Sequence, residues 1–224
     1  MPSLTALGGP ALSNRTASPL GDELRFHVEW LRDRVLLARP RLISVAQKAT
    51  FHIFLDGACP EAQQGVEWCG TSVGGVLFDE HGVRLGSFGE ILPPSVTKAW
   101  QRAGKDQLIF EAELLPYVIA LHPWSDKIAG SNYFIYIDNE TATSSWINGS
   151  ADLLHARHMI YEGASREAAL NVTPYFCRVP THSNLAEEPS RGSFTICEEL
   201  GARRMRVDES MLLMCAGLNH AYKL

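Results

Sequence analysis

The chain has 224 residues, 46% of them hydrophobic and 20% charged, with 20 Lys and Arg against 25 Asp and Glu for a formal net charge of −5. That balance provides for one ordinary core with extensions, or two small domains, and excludes a protein that grips nucleic acid by bulk positive charge alone. It leaves room for chemistry on nucleic acid at a site where bound divalent metals would supply the positive charge.

In chain order, residues 1–20 are rich in Ser, Pro, Gly, Leu and Ala and read as a flexible lead-in. Residues 21–38 carry Leu24, Val28, Leu31, Val35 and Leu36 at helical spacing, with Asp22 and Glu23 favouring the start and Pro40 ending it, so 21–48 reads as an N-terminal helix and linker. The pattern then changes. TFHIFLDGA (50–58), residues 70–79 and residues 83–92 predict three strands with short connections, an antiparallel meander that Pro93 and Pro94 break. Residues 107–124 read as one helix, with Pro116 expected in its first turn, where a missing N–H costs least. SNYFIYIDN (131–139) predicts a fourth strand, 141–149 a short helix closed by Gly149, and 151–170 a mostly helical stretch divided at Gly163. A fifth strand at 173–180 leads into the loop THSNLAEEPSRGS, which has room for one helical turn, and 193–224 reads as a mixed C-terminal tail. The order β-β-β-α-β-α-α-β-α implies an α/β fold: a five-stranded mixed sheet, three antiparallel strands followed by parallel crossovers, with helices on both faces.

The cysteines Cys59, Cys69, Cys177, Cys197 and Cys215 are widely spaced with no CxxC pair, which favours a reducing compartment, cytoplasmic or nuclear, over structural zinc. No run approaches the ~18 apolar residues of a membrane span, and the N-terminus lacks the apolar segment of a signal peptide, so no membrane partner is expected.

Two strands end on an acid, the first at Asp56 and the fourth at Asp138. If those strands lie parallel and adjacent, both acids share the sheet edge where ligands of open α/β sheets bind. Glu113 opens the first crossover helix and Glu187 follows the fifth strand, so four carboxylates are expected to converge. Taken singly, each has an ordinary structural reading: an Asp after a strand caps a turn, and a Glu near a helix start complements the dipole. Together they would repel unless divalent cations sat among them, and oxygen-only ligands favour Mg²⁺ or Mn²⁺ over zinc or copper. Two such ions about 4 Å apart clamp a phosphodiester.

These stretches resemble a known family. D56-G-A, E113-L-L-P-Y-V-I-A-L and D138-N-E-T-A resemble the first three acidic motifs of ribonuclease H, and V179-P-T-H-S-N-L-A-E-E-P-S-R191 resembles the fourth. The pattern is most similar to ribonuclease H-like domains that follow reverse transcriptase in retroelements, DIRS-type and related, and covers roughly residues 49–192. The resemblance implies a two-metal endonuclease that cleaves the RNA strand of RNA–DNA hybrids, with a reverse transcriptase domain as a further partner and no indication of oligomeric state. It implies Asp56, Glu113, Asp138 and Glu187 as ligands of two Mg²⁺ or Mn²⁺ ions and His182 as a mobile loop histidine acting in protonation or product release. Glu187 stands where the family has aspartate. Glu111 competes with Glu113 for the second motif, but at about 100° per residue the two cannot share a helix face, and Ala120 and Leu121 follow Glu113 at the family spacing.

Other candidates have plainer readings. His155 and His158 read as surface helix histidines, Trp68, Trp100, Trp124 and Trp146 as packing residues rather than base-stacking platforms, and Cys59 as packing. Arg178 and Arg191 flank the fourth motif and contact phosphates or pair with Glu187 or Glu188. Two rival functions share the fold: a catalytically degenerate module for nucleic-acid or protein binding, and a 3′–5′ exonuclease. The second expects DxE on the first strand, where this chain has Asp56-Gly57-Ala58.

Overall fold

The β-branched and aromatic stretches form five strands: β1 (Thr50–Ala58), β2 (Ser72–Phe78), β3 (Arg84–Ile91), β4 (Asn132–Ile137) and β5 (Thr173–Arg178). They make one sheet in the order β3-β2-β1-β4-β5. Strands β1, β2 and β3 pair antiparallel, and β4 and β5 join parallel to β1. This is the mixed architecture expected from the element order. The computed structural model describes residues 21–37, 49–59, 70–102, 107–195, 198, 201 and 203–218. The lead-in at 1–20, residues 38–48 of the linker, Trp68, Cys69 and Cys197 lie outside the described residues.

The chain divides into two units, Met1–Pro40 and Arg41–Leu224. In the first, α1 (Asp22–Leu37) presents Leu24, Val28, Leu31, Val35 and Leu36 as exposed apolar residues. In the second, the helices are α2 (Pro94–Arg102), α3 (Ile109–Ala120), α4 (Ser125–Ile128), α5 (Glu140–Asn148), α6 (Leu154–Leu170), α7 (Glu187–Ser190) and α8 (Glu209–Cys215), with a 3₁₀ turn at Thr181–Ser183. Among the described residues no helix is long and apolar enough to cross a membrane.

Strand alternation assigns the two faces of the sheet. Gly57 lies against α3, so close that a Cβ there would stand 2.3 Å from the Ala112 carbonyl carbon. Its neighbour Asp56 points the other way, toward α7, where its cross-strand partner Gly74 abuts the Ser190 backbone. The α3 face holds the main core. Ile53, Leu55, Leu77, Phe88, Tyr117 and Trp124 are all buried there in one cluster. Trp100 and Trp124 are fully buried, and Trp146 stacks on Phe176 with ring centroids 5.9 Å apart, so these three indoles are packing residues as expected.

Several local expectations are corrected. Residues 94–102 are helical: the prolines that end the meander also start α2, because Pro94 at the first helical position loses no hydrogen bond and has its φ preset. The helix expected over 107–124 ends at Ala120, and α4 follows separately after a turn. Pro116 lies inside α3, eighth in the helix rather than in its first turn. It has no N–H to give the Ala112 carbonyl, which lies instead against Gly57. Gly163 does not divide α6. The Trp146 ring packs where its side chain would be. His155 is not on the surface; it is 4% exposed and paired with Glu111. Residues 203–216, read as part of a tail, run beside the sheet. Ser87 donates its N–H to the Arg203 carbonyl at 3.0 Å, Met205 donates to Ser87 at 2.7 Å, and Val207, Leu212, Cys215 and Ala216 are buried in the main core.

Candidate metal centre

Each acid arrives by a different local rule. Asp56 comes from β1 two residues before that strand ends, on the face away from α3. Asp138 follows the last residue of β4, which is parallel to β1, so both carboxylates emerge at the same end of adjacent strands. Glu113 lies on α3, whose close approach over Gly57 brings the side chain to that end as well. Carboxylate oxygens of Asp56, Glu113 and Asp138 all lie within 4.8 Å of one another.

Burial makes this arrangement unfavourable without a counter-charge. Asp56 and Glu113 are 5% and 4% exposed. Burial pushes Glu113 up to about 10, and the charges of Asp56 and Asp138 and a hydrogen bond with Asp138 add to it, while the Gly57 N–H opposes. Burial likewise pushes Asp56 up to about 7. The Ser190 hydroxyl and Arg191 oppose this rise, and Asp138 and Glu187 reinforce it. At neutral pH Glu113 therefore holds a proton. Glu113 Oε2 and Asp138 Oδ1 are buried without a hydrogen-bond partner. Three converging carboxylates, all-oxygen donors and two orphaned buried oxygens fit a hard divalent cation, whose binding would displace the protons.

Glu187 is not in this group. It opens α7, and its Oε1 accepts from Arg191 Nη2 at 2.7 Å in an exposed i,i+4 pair. It remains near enough for its charge to act on Asp56. His182 lies exposed on the 3₁₀ turn. A cleft of about 360 Å³ is lined by Asn139, the residue after Asp138, with Thr141 and Ser145, and by Ile109 and Phe110 of α3.

Sequence reasoning passed over two residues that touch Asp56. Asn184 Nδ2 donates to the Leu55 carbonyl at 2.9 Å and to Asp56 Oδ1 at 3.3 Å, and Ser190 Oγ donates to Asp56 Oδ2. Both lie inside the quoted fourth motif, so the signal was present as two small polar residues three before and three after Glu187. Glu111, the rejected register, is fully buried and pairs with His155 Nε2 at 3.0 Å on the α6 side of α3.

No protein-family model and no curated protein matches the chain. Among solved structures, it is similar to the N-terminal ribonuclease H domain of Rv2228c from Mycobacterium tuberculosis, at 13% identity and a TM-score of 0.48, covering 69% of this chain and 99% of that one. It is similar to ribonuclease H1 from Halobacterium salinarum, at 16% identity and a TM-score of 0.45, covering 64% and 99%. It is also similar to LC11 ribonuclease H1 in complex with an RNA/DNA hybrid, at 15% identity and a TM-score of 0.46, covering 66% and 99%.

Proposed function

We propose that this chain is a metal-dependent nuclease of the ribonuclease H type, cutting the RNA strand of RNA–DNA hybrids, and that it serves reverse transcription in a retroelement of the DIRS type or a related one. The observation that carries the reading is the convergence of Asp56, Glu113 and Asp138 within 4.8 Å, from two parallel strands and the helix between them in sequence, with buried oxygens left unpartnered. Carboxylates that merely capped turns would not gather in one buried place.

Asp56, Glu113 and Asp138 would hold the ion, with Glu187 as a further ligand once it leaves Arg191. Bound Mg²⁺ or Mn²⁺ ions would supply a Lewis acid for the phosphodiester and lower the pKa of the attacking water. The protein fixes the ligand oxygens on rigid elements, β1, the end of β4 and α3, which keeps them aligned during reaction. His182, exposed on a turn ahead of α7, is free of the core and available for proton transfer to a leaving group. Discrimination of RNA from DNA falls to contacts with the 2′-OH and minor groove.

One observation favours the degenerate module: the acid at the fourth position is Glu187, and its carboxylate is engaged by Arg191 outside the three-acid group. A labelled hybrid, double-stranded DNA and double-stranded RNA, each incubated with Mg²⁺, Mn²⁺ or EDTA, separate the readings. We expect internal cuts in the RNA of the hybrid only, dependent on metal and abolished by Asp56→Asn. Metal-dependent trimming from 3′ ends would point to the exonuclease, and no cutting by folded protein would point to the binding module.

A further inference from the structure

We propose that Asn184 and Ser190 are positioning residues that clamp the Asp56 carboxylate in the orientation a divalent cation needs, with α7 as the element that carries the clamp. This rests on the metal-site reading above. Asp56 is gripped on both oxygens: Asn184 Nδ2 donates to Oδ1 at 3.3 Å and Ser190 Oγ to Oδ2. The amide of Asn184 has its orientation dictated by its neighbours. Its Oδ1 accepts the Ala186 N–H at 3.2 Å while its Nδ2 serves the Leu55 carbonyl and Asp56. Asn184 and Ser190 are 5% and 1% exposed, so neither bond competes with bulk water.

The donors are neutral, and that matters. An Arg or Lys in the same place would neutralise Asp56 and compete with a cation, whereas an amide and a hydroxyl orient the carboxylate and leave its charge available. Ser190 Oγ also lies 2.9 Å from the Glu187 carbonyl, the ordinary back-bond of a serine in a helical turn. A hydroxyl has one proton, and an ionised Asp56 claims it over a carbonyl.

Two glycines on the sheet make room for this clamp. Gly74 and Gly89 are register partners on β2 and β3. A Cβ at Gly74 would stand 2.3 Å from the Ser190 nitrogen, and one at Gly89 would stand 2.0 Å from the Pro189 carbonyl oxygen. Side chains there would lift α7 off the sheet and Ser190 off Asp56. The one-turn helix that begins at the fourth acid is thus seated by two glycines on strands remote from it in sequence.

The test is calorimetric titration of Mn²⁺ into wild type, Ser190→Ala, Asn184→Ala, Gly89→Ala and Asp56→Asn, with a melting curve for each. We expect Asp56→Asn to remove binding, and Ser190→Ala, Asn184→Ala and Gly89→Ala each to weaken it about 10-fold or more in folded protein. A purely structural role would lower the melting temperature and leave Mn²⁺ affinity unchanged, and that result for Ser190→Ala and Asn184→Ala overturns the clamp while the metal site stands. Ser190→Ala removes a single oxygen and decides the matter alone if the other variants do not fold. Wild type that binds no Mn²⁺, or Asp56→Asn that binds it as wild type does, overturns the metal site and the clamp with it.

Discussion

Glu111 and Glu113 are two residues apart on α3, and both are buried, yet they face opposite chemistry. Glu111 turns toward α6 and meets His155, 3.0 Å away, beneath the stacked ring of Trp100. Glu113 turns toward the sheet and meets two more acids. The first has a hydrogen-bonding imidazole partner; the second is pushed up to about 10 by burial, with the charges of Asp56 and Asp138 adding to it and the Gly57 N–H opposing. Burial alone therefore does not distinguish a structural acid from a metal ligand. What distinguishes them is whether the fold supplies a hydrogen-bonding imidazole or gathers further acids around the carboxyl.

The largest expected effect separates the two acids by activity. Glu113→Gln should slow metal-dependent hybrid cleavage at least about 100-fold, as expected for loss of a group that stabilises transition-state charge. Glu111→Gln should leave folded protein cutting near the wild-type rate. Equal losses from both substitutions would dissolve the distinction. Stability should show the reverse order. His155→Ala leaves Glu111 buried without its partner and should cost about 3 kcal/mol or more in urea denaturation. Replacing both members together, Glu111→Met with His155→Leu, should recover most of that loss.

A smaller effect appears in the pH dependence of metal-free protein. A carboxyl whose folded pKa is raised binds its proton more tightly folded than unfolded, so its contribution to stability is present at low pH and is lost as pH rises toward the folded value. Asp56 at about 7 and Glu113 at about 10 both act in this sense. Between pH 7 and 9 in EDTA the melting temperature should therefore fall, with Glu113 contributing up to about 1.4 kcal/mol per pH unit. Glu113→Gln or added Mg²⁺ should flatten the slope, and a slope unchanged in Glu113→Gln would place its origin elsewhere. The smallest effect belongs to Glu187, whose partner Arg191 is more than half exposed. Arg191→Gln should change stability by less than about 1 kcal/mol, measured by the same denaturation.

The strands were legible because their chemistry is local. TFHIFLDGA is the whole of β1, and Asp56 and Asp138 were marked by apolar runs ending on an acid. Gly149 was legible as a helix stop and takes the left-handed conformation, at φ 65. What was not legible depended on contacts between distant segments. His155 looks like a surface histidine until α6 is laid against α3, and nothing in its own helix announces Glu111. The run containing Asn184 and Ser190 reads as a loop with one helical turn, and that turn is α7, but its seat on the sheet was not legible, because the glycines that make room for it, Gly74 and Gly89, lie about a hundred residues earlier. Pro94 and Pro116 misled in opposite ways. One began a helix where a break was expected, and the other sits within a helix because the carbonyl it deprives faces Gly57.

On the proposed function, Asp56, Glu113 and Asp138 jointly hold a divalent cation. Crystals grown with Mn²⁺ and measured for its anomalous scattering test this most directly. A peak is expected within about 2.5 Å of an oxygen from each of the three carboxylates, and Mn²⁺ bound only elsewhere on the protein would overturn the shared site.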